Sequence, residues 1–492
     1  MKKIIKNFNN LVKKTIFKVQ NKTNNNFKIS SFNKYFIVFI ASLFIYLFYL
    51  LIPLLYEKTW LQTNIERKLL NEFKINLDIS AEISYHILPA PHFLIRDSKI
   101  YTDDDKKKLI AEIKDLKVFL GQAKFFNKEK MNIKKLVISD ANFSLLRNDL
   151  KSLNTFKNKK LSSKKIKINN SNIFFKDNLN EIVSIIKIDN IVAFFDIEKL
   201  LNFINLKGEV FNTPFNFNFQ YQNDSTRYQK IDFDSKSLKL KFSDESVLEK
   251  KSISGKNDTS FSNTSINTKY NIKDKLISFK SNNSRLNNSK INYDGVLSIN
   301  PFDLNLNINL DNYKISKLFN INPILIEFIN SGLLFNSNIS IKNSIIVNSD
   351  EKNEIFQNAK INFNIVNGKF NLNNTIFIND SIGLLELNNS NLSLENKNLI
   401  LNTDILFKVK NSDKLFSFLN TNKKSRKEIK NILLNLEYNF LRNEIKFNDV
   451  KINNSEVSSQ LFNIIEDFSD NNLNNLNKSR RLLNELLNIY EG

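Results

Sequence analysis

The strongest constraint on the fold is an uncharged apolar segment at residues 35–56, which reads YFIVFIASLFIYLFYLLIPLLY. In a helix that rises about 1.5 Å per residue, about 20 apolar residues span a hydrocarbon core of about 30 Å. Lys34 and Glu57 bracket the segment. Tyr35 and Tyr56 lie at its two ends, where an interfacial aromatic belt is expected. The sequence therefore predicts one transmembrane helix.

The flanks of this segment predict its orientation in a membrane. A cleaved signal peptide has an apolar core of about 7–15 residues followed by small residues, whereas this segment is longer and is followed by EKTW. Nine lysines and no acidic residue precede it, and lysine-rich flanks stay in the cytoplasm. We therefore expect an uncleaved anchor, a basic cytoplasmic tail at residues 1–34, and export of everything after residue 57.

Most of the remaining chain alternates between apolar and polar residues. This period of two is typical of strands with one apolar and one solvated face, and clean alternation favours antiparallel neighbours. At about 15 residues for each strand and its turn, the body would hold roughly 25 strands. The clearest cases are FNFNFQY and DLNLNINL, whose apolar positions are Phe215, Phe217, Phe219, Leu304, Leu306, Ile308 and Leu310.

Apolar stripes with helical spacing divide the chain further. We predict a linking helix at residues 57–74, a β body at 75–455 and a helical segment at 456–492. Short helices are predicted at residues 198–203 and 323–330.

Polar composition predicts the connections of the β body. We expect a solvated loop at residues 151–165, and long loops or weak edge strands at 222–237 and 243–267. Turns are predicted at Asn-Asn, Asn-Gly and Asp-Gly pairs. These pairs begin at Asn169, Asn282, Asp294, Asn367, Asn373 and Asn388.

Strands with one apolar face must hide that face, and the residues alone leave two solutions open. Two sheets can close on each other and form an ordinary core. Alternatively, one sheet can curl into a trough whose apolar side is covered by guest molecules.

Several motifs carry a family resemblance. ILPAPHFLIRDSKI at residues 87–100 resembles the signature that follows the anchor in AsmA-like proteins of Gram-negative envelopes, and its matching residues are Leu88, Pro89, Pro91 and Asp97. MNIKKLVISDANFSLLRND at 131–149 and IKINNSNIFFKD at 166–177 resemble the strand units of that family. GEVFNTPFNFNF and GVLSINPFDLNLNINLD resemble its repeated strands. The sequence departs from the family pattern at residues 148–165, and its C-terminal third matches loosely.

The resemblance implies an inner-membrane anchor followed by an extended, curled antiparallel β-sheet in the periplasm, shaped like a trough and flanked by a few helices. Its concave apolar face would hold lipid acyl chains, and related proteins support outer-membrane assembly and phospholipid movement. The expected partners are therefore phospholipids, the inner membrane, and other envelope or outer-membrane assembly proteins. The seven apolar residues of the two clearest strands are the candidate lining of the groove.

Chemistry-bearing motifs give no support for an enzyme. The chain has no cysteine, its eight glycines are scattered, and no nucleophile or phosphate-loop motif is present. His86 and His92 lack a third metal ligand nearby, so we expect no metal and no cofactor. The net charge of +22 accompanies a composition typical of A/T-rich codons, and we expect no nucleic-acid partner. A structural assembly factor with a closed core remains the alternative, and an anchored enzyme would need a catalytic cluster that the sequence does not mark.

Overall fold

The computed structural model describes residues 31–80, 82–101, 108–147, 160–222, 227–249, 251–318, 327, 329–350, 355–395, 398–442, 444–466 and 476–490. The chain forms two compact units, residues 1–141 and 142–492. Most of the predicted basic tail lies outside the described residues.

The first unit begins with two helices. Helix α1 spans Ser31–Leu51 and continues as a 3-10 turn at Ile52–Leu55. The span from Asn33 to Leu55 has 23 residues and a mean hydropathy of 2.6, so it is long and apolar enough to cross a membrane, as a single anchor or a signal sequence would be. Helix α2 spans Lys58–Phe73, within the predicted linking segment.

An apolar stripe on α2 accounts for its packing. Leu61, Ile65, Leu69 and Phe73 recur at helical spacing and are buried. The helix ends at Lys74, whose left-handed backbone directs its N–H to the carbonyl oxygens of the last turn.

The strands of the first unit are ordered around β3. This strand pairs antiparallel with β1, β2 and β4, and its Phe93 and Ile95 are almost completely buried together with Leu116 of β4. The bounds are β1 Asn76–Asp78, β2 Ile83–His86, β3 His92–Tyr101 and β4 Leu109–Leu120, followed by β5 Ile133–Leu146, which begins in this unit.

In the second unit the described strands belong to one sheet, in which each strand pairs with its neighbours along the chain. Strands β19 and β20 together fill one position between β18 and β21. The bounds are β6 Lys165–Lys176, β7 Ile182–Asp196, β8 Leu201–Val210, β9 Thr213–Tyr221, β10 Arg227–Ser235, β11 Leu240–Leu248, β12 Ser252–Phe261, β13 Thr264–Lys273, β14 Leu276–Leu286, β15 Ser289–Ile299, β16 Phe302–Asp311, β17 Ile339–Asn348, β18 Asn358–Val366, β19 Lys369–Asn371, β20 Thr375–Asn379, β21 Gly383–Glu395, β22 Asn398–Val409, β23 Asn431–Asn439, β24 Glu444–Ile452 and β25 Ser455–Glu456.

These bounds confirm the predicted fold class. The protein is mainly β, with an apolar N-terminal helix followed by a long, mostly antiparallel sheet in a solenoid-like arrangement and few helices. The described residues contain 25 strands, in agreement with the number estimated from the alternation. One pair departs from the antiparallel pattern, because β16 and β17 run parallel. A parallel pair needs a long crossover, and residues 312–338 supply it.

The prediction of long loops or weak edge strands at residues 222–237 and 243–267 is wrong. Strands β10 to β13 occupy most of these residues and lie in the middle of the sheet, with partners on both sides. Their many polar side chains obscure the alternation of apolar and polar residues in the sequence. The backbone hydrogen bonds that pair these strands do not depend on side-chain polarity. Most of the predicted loop at 151–165 lies outside the described residues, and Lys165 already begins β6.

Of the two short predicted helices, one is wrong and the other lies mostly outside the described residues. Residues 197–200 form a turn and Leu201 begins β8, so the predicted helix at 198–203 is wrong. The predicted helix at 323–330 lies mostly outside the described residues. Three further helices follow β22 and β24, namely α3 Ser412–Leu419, α4 Ser459–Glu466 and α5 Leu476–Ile489.

The predicted turns divide into two groups. Asn367-Gly368 and Asn373-Asn374 do form turns between strands. The pairs that begin at Asn282 and Asn388 lie inside strands, where the pairing register shifts, and the pair that begins at Asn169 lies inside β6. These three turn predictions are wrong. The tolerance for left-handed backbone that suits asparagine to turns also lets Asn170 and Asn389 stand within strands. Asp294-Gly295 lies in regular pairing within β15, so that turn prediction is also wrong.

Candidate functional site

The seven candidate residues lie on one face of the sheet in the second unit. The pairing of strands shows which residues share a face of the sheet, because residues directly opposite each other point to the same side. When the paired residues are traced from Phe217 on β9, strand by strand, to β16, Leu304 lies on the same side of the sheet as Phe217. We call this side of the second unit's sheet the apolar face.

Strands β7 to β11 contribute one short row to the apolar face. Each residue of the row stands directly opposite its predecessor on the neighbouring strand. The row, named the Phe217 row, consists of Ile191, Leu206, Phe217, Phe233 and Phe242. It ends on β12, where Thr259 stands opposite Phe242.

A second and longer row passes through Leu304. It begins at Leu248 of β11, six residues along that strand from the end of the Phe217 row, and reaches Ile445 of β24. Every member is apolar or a tyrosine. The Leu304 row consists of Leu248, Ile253, Ile272, Ile277, Leu297, Leu304, Ile341, Ile365, Phe370, Leu392, Leu401, Tyr438 and Ile445.

Burial varies along the apolar face. Six of the candidate residues are only half-buried, and Leu310 is the exception at 8% exposure. Leu310 packs with Ile315 of the crossover and with Val347 of β17. Ile365, Phe370 and Leu392 are buried under Ile329. The protein's own chain therefore covers the face beyond β17 and leaves it half-exposed on β9 and β16. The half-exposed candidates are Phe215, Phe217, Phe219, Leu304, Leu306 and Ile308.

The opposite face is built from polar side chains that bond to one another across strands. The Asn205 Nδ2 donates to the Asn216 Oδ1 at 2.9 Å, and the Asn307 Nδ2 donates to an Asp294 carboxylate oxygen at 3.1 Å. This solvated side explains the regular asparagine in the alternating segments, and it leaves the other side as the one with apolar area to cover.

A polar band interrupts the apolar face between the two rows, on β11 to β13. Asp244 lies opposite Asn257, and the Tyr270 hydroxyl donates a hydrogen bond to the Asp244 carboxylate at 3.0 Å. Burial and, secondarily, this hydrogen bond raise the pKa of Tyr270 to about 12. The phenol therefore stays protonated near neutral pH and holds the carboxylate as a hydrogen-bond acceptor.

The residues of the family signature lie in the first unit and do not join the apolar face described above. Leu88 and Pro89 belong to the connection between β2 and β3, joined by a cis peptide bond, and Leu88 is 81% exposed. Pro91 is buried, and its carbonyl oxygen accepts the N–H of Leu120 at 2.9 Å. Asp97 lies within β3 and has a left-handed backbone. These residues shape the backbone of β3 and of the connection before it.

The two histidines face each other beside this connection. The His86 and His92 rings stack with centroids 5.4 Å apart, and the His92 Nδ1 lies 2.7 Å from the carbonyl oxygen of Ala90. Burial lowers the pKa of His92, which favours the neutral ring with Nδ1–H as donor. Among the described residues, no group of three His, Asp or Glu side chains is arranged to hold a metal ion.

Sequence reasoning missed much of the longer row. Ile253, Ile272 and Ile277 lie in or beside the segments predicted as polar loops, where no long alternation marks them. Each of these three isoleucines lies one residue from an end of its strand. Only the pairing register brings these isolated residues into one line.

The fold and its apolar face define a class: a solenoid-like β protein with one N-terminal apolar helix and a one-sided sheet. A scan against protein-family models finds no match, and a search of curated proteins finds no significant similarity. The fold therefore carries the argument for function.

Proposed function

We propose that the protein is an inner-membrane-anchored periplasmic protein of envelope biogenesis, which holds phospholipid acyl chains on its apolar face and lets them move along it. The observation that carries the proposal is the Leu304 row, which remains apolar from β11 to β24 and half-buried from β11 to β17. Further envelope or outer-membrane assembly proteins would act as partners.

Two features support a periplasmic location of the β body and a role in envelope biogenesis. The apolar helix α1 follows a lysine-rich segment, which favours retention of the N-terminus in the cytoplasm and export of the β body. The resemblance of residues 87–100 and of the later strand units to AsmA-like proteins points to the same arrangement.

The physical basis of lipid holding is non-directional burial. Each methylene group removed from water contributes about 0.8 kcal/mol, so a row of leucine and isoleucine side chains can retain an acyl chain without a polar recognition site. Because such contacts do not depend on direction, a chain can shift from one strand to the next at little cost. The polar band on β11 to β13 would direct this movement along the Leu304 row.

A structural assembly factor with a closed core is the second candidate. Its supporting observation is the burial of the face beyond β17, where Phe370 and Leu392 are covered by residues of the same chain. In that case the half-buried residues on β9 and β16 would serve packing alone.

Replacing Phe217 with aspartate separates the two candidates. Purified full-length Phe217→Asp protein would be compared with Asn216→Asp, which places the same charge on the opposite face of β9. Bound phospholipid would be extracted and quantified by mass spectrometry, and strand opening would be followed by hydrogen exchange.

If the apolar face holds lipid, Phe217→Asp should keep its fold and lose most of its bound phospholipid, while Asn216→Asp retains it. In a closed core, the aspartate would be buried without a partner, and we would expect a destabilisation of about 3 kcal/mol or more. Wild-type protein without phospholipid above the level of a non-lipid-binding control would refute the lipid proposal.

A further inference from the structure

The sheet of the second unit ends beside a partly open apolar cavity of about 260 Å³. Strands β21 to β24 form one wall, and helices α3, α4 and α5 form the other. Protein interiors contain few voids larger than a water molecule, and an empty cavity lowers stability as its volume grows. A ligand that filled this cavity would therefore stabilise the protein.

The lining excludes a polar occupant. Among the residues that the structure describes, Asn379 is the one polar residue that lines the cavity. Its Nδ2 donates to the carbonyl oxygen of Ile355, and its Oδ1 accepts the N–H groups of Ser381 and Ile382. A buried water needs two to four polar partners, whereas apolar cavities of about 150 Å³ stay dry and bind benzene.

The cavity continues the apolar face. Leu385, Phe407, Ile432 and Ile452 stand opposite one another on successive strands and are on the same side of the sheet as the Leu304 row. Three of them are half-buried although they line a cavity, and Ile452 is buried. The cavity therefore lies on the same side of the sheet as the apolar face, beyond the part that residues of the crossover cover.

One side of the cavity reaches the surface. Leu483 of α5 lines the cavity and is 44% exposed. The next residue, Asn484, donates through its Nδ2 to the carbonyl oxygen of Asn420 at 3.3 Å, which ties α5 to the end of α3. The opening beside Leu483 thus lies next to the segment that follows α3.

That segment is strongly basic. Its 3-10 turn, Lys423–Ser425, contacts α5. The segment carries Glu428 as its single acidic residue from 423 to 430. The lysines form no ion pair with any residue that the structure describes, and they are Lys423, Lys424, Lys427 and Lys430, all exposed.

We propose that this cavity is a terminal binding site for one acyl chain of an anionic amphiphile, with the chain among α3, α4, α5 and the sheet and the anionic head group beside Lys423 and Lys424. The proposal deepens the proposed function by naming a stopping point and a charge preference, and it rests on lipid binding by this protein. A single chain is specified because the volume of the cavity is small.

Photolabelling tests the site directly. The full chain would be reconstituted in phosphatidylcholine nanodiscs with palmitic acid that carries a diazirine near its methyl end, irradiated, digested and mapped by mass spectrometry. We expect label on α3, on α5 and on residues 431–452. Ile405→Trp should reduce that label at least five-fold by filling the cavity, whereas Ile346→Trp, an exposed position on the opposite face, should leave it unchanged.

A second variant covers a possible folding defect. If Ile405→Trp loses its β circular dichroism, Leu434→Phe fills the same cavity with a smaller change. Label confined to β9 and β16 would overturn the terminal site while leaving lipid binding by the face intact. Label confined to the cavity would support the site and count against the wider groove. No label on the second unit would refute both.

A second experiment tests the position of the anionic head group by reversing the charge of two lysines. Lys423→Glu/Lys424→Glu should weaken labelling by the fatty acid several-fold and leave labelling by the matching uncharged long-chain alcohol unchanged. The double variant Lys342→Glu/Lys360→Glu, with both charges on the opposite face, is the control. Equal effects of the two double variants would overturn the charge preference.

Discussion

At the residue scale, isolated glycines in this sheet make room for neighbouring rings. A Cβ at Gly295 would lie 2.6 Å from both the backbone oxygen of Asn305 and the Phe279 ring, and one at Gly255 would lie 2.4 Å from the Tyr270 ring. Sequence alone marked Asp294-Gly295 as a turn, because the aromatic that covers the glycine comes from a different strand. Local chemistry predicted a tolerant backbone there but could not predict close packing across strands.

Gly295→Ala should therefore destabilise β14 to β16 by about 1–3 kcal/mol through overpacking. Native-state hydrogen exchange of the amides in these three strands measures the opening free energy. Gly121→Ala is the matched control, because its nearest neighbours would lie at 3.6 Å, an ordinary contact distance. Equal exchange in the two variants would contradict the packing argument.

At the element scale, alternation predicts strands only where one face is apolar. Residues 213–221 and 302–311 met that condition and are strands. Strands β11 to β13 carry mostly polar residues on both sides in their middle, and their identity depends on hydrogen bonds to neighbours that a local pattern does not contain. The candidate groove residues lie on strands with clear alternation, whereas the members of the Leu304 row on β12 to β14 lie where no long alternation marks them.

Helix α3 illustrates an element whose stability comes from packing. Its eight residues are too few for a stable isolated helix. Asn411 caps its first turn, and Phe416, 2% exposed, packs against α5 and the sheet.

Phe416→Ala should lower the stability of this region by about 3–5 kcal/mol, because it removes a buried aromatic ring. Phe211→Ala, at a hairpin turn where the side chain is 78% exposed, should change stability by less than about 0.5 kcal/mol. Urea unfolding with hydrogen exchange at α3 and β22 to β24 measures both. A small effect at Phe416 would mean that the helix is not held by this contact.

At the scale of the whole molecule, the sequence predicted an apolar helix, a series of strands and a helical end, and all three are present. It did not predict the covering of the face beyond β17, since the crossover residues Ile315 and Ile329 acquire that role only when β16 and β17 pair in parallel.

The apolar helix α1 gives a further prediction, which follows from its proposed role as a membrane anchor. Protein isolated from membranes should retain the peptide from residues 33–55, resist carbonate extraction and be released by detergent. A chain that begins at residue 58 behind a cleavable signal peptide should instead be soluble. Absence of residues 33–55 from the mature protein, detected by intact mass, would identify the segment as a cleaved signal sequence.

The parallel pair of β16 and β17 also sets the polarity of everything that follows it. In a sheet of hairpins alone, odd and even strands point in fixed opposite directions. The parallel pair exchanges the two classes, and β19 and β20, which run in the same direction in one position of the sheet, exchange them back. Consequently β22 and β24 end at the same edge at which β16 ends, and α3 and α4 begin there. Shortening the crossover into a hairpin would reverse every later strand and send both helices to the far edge, away from the cavity that they enclose.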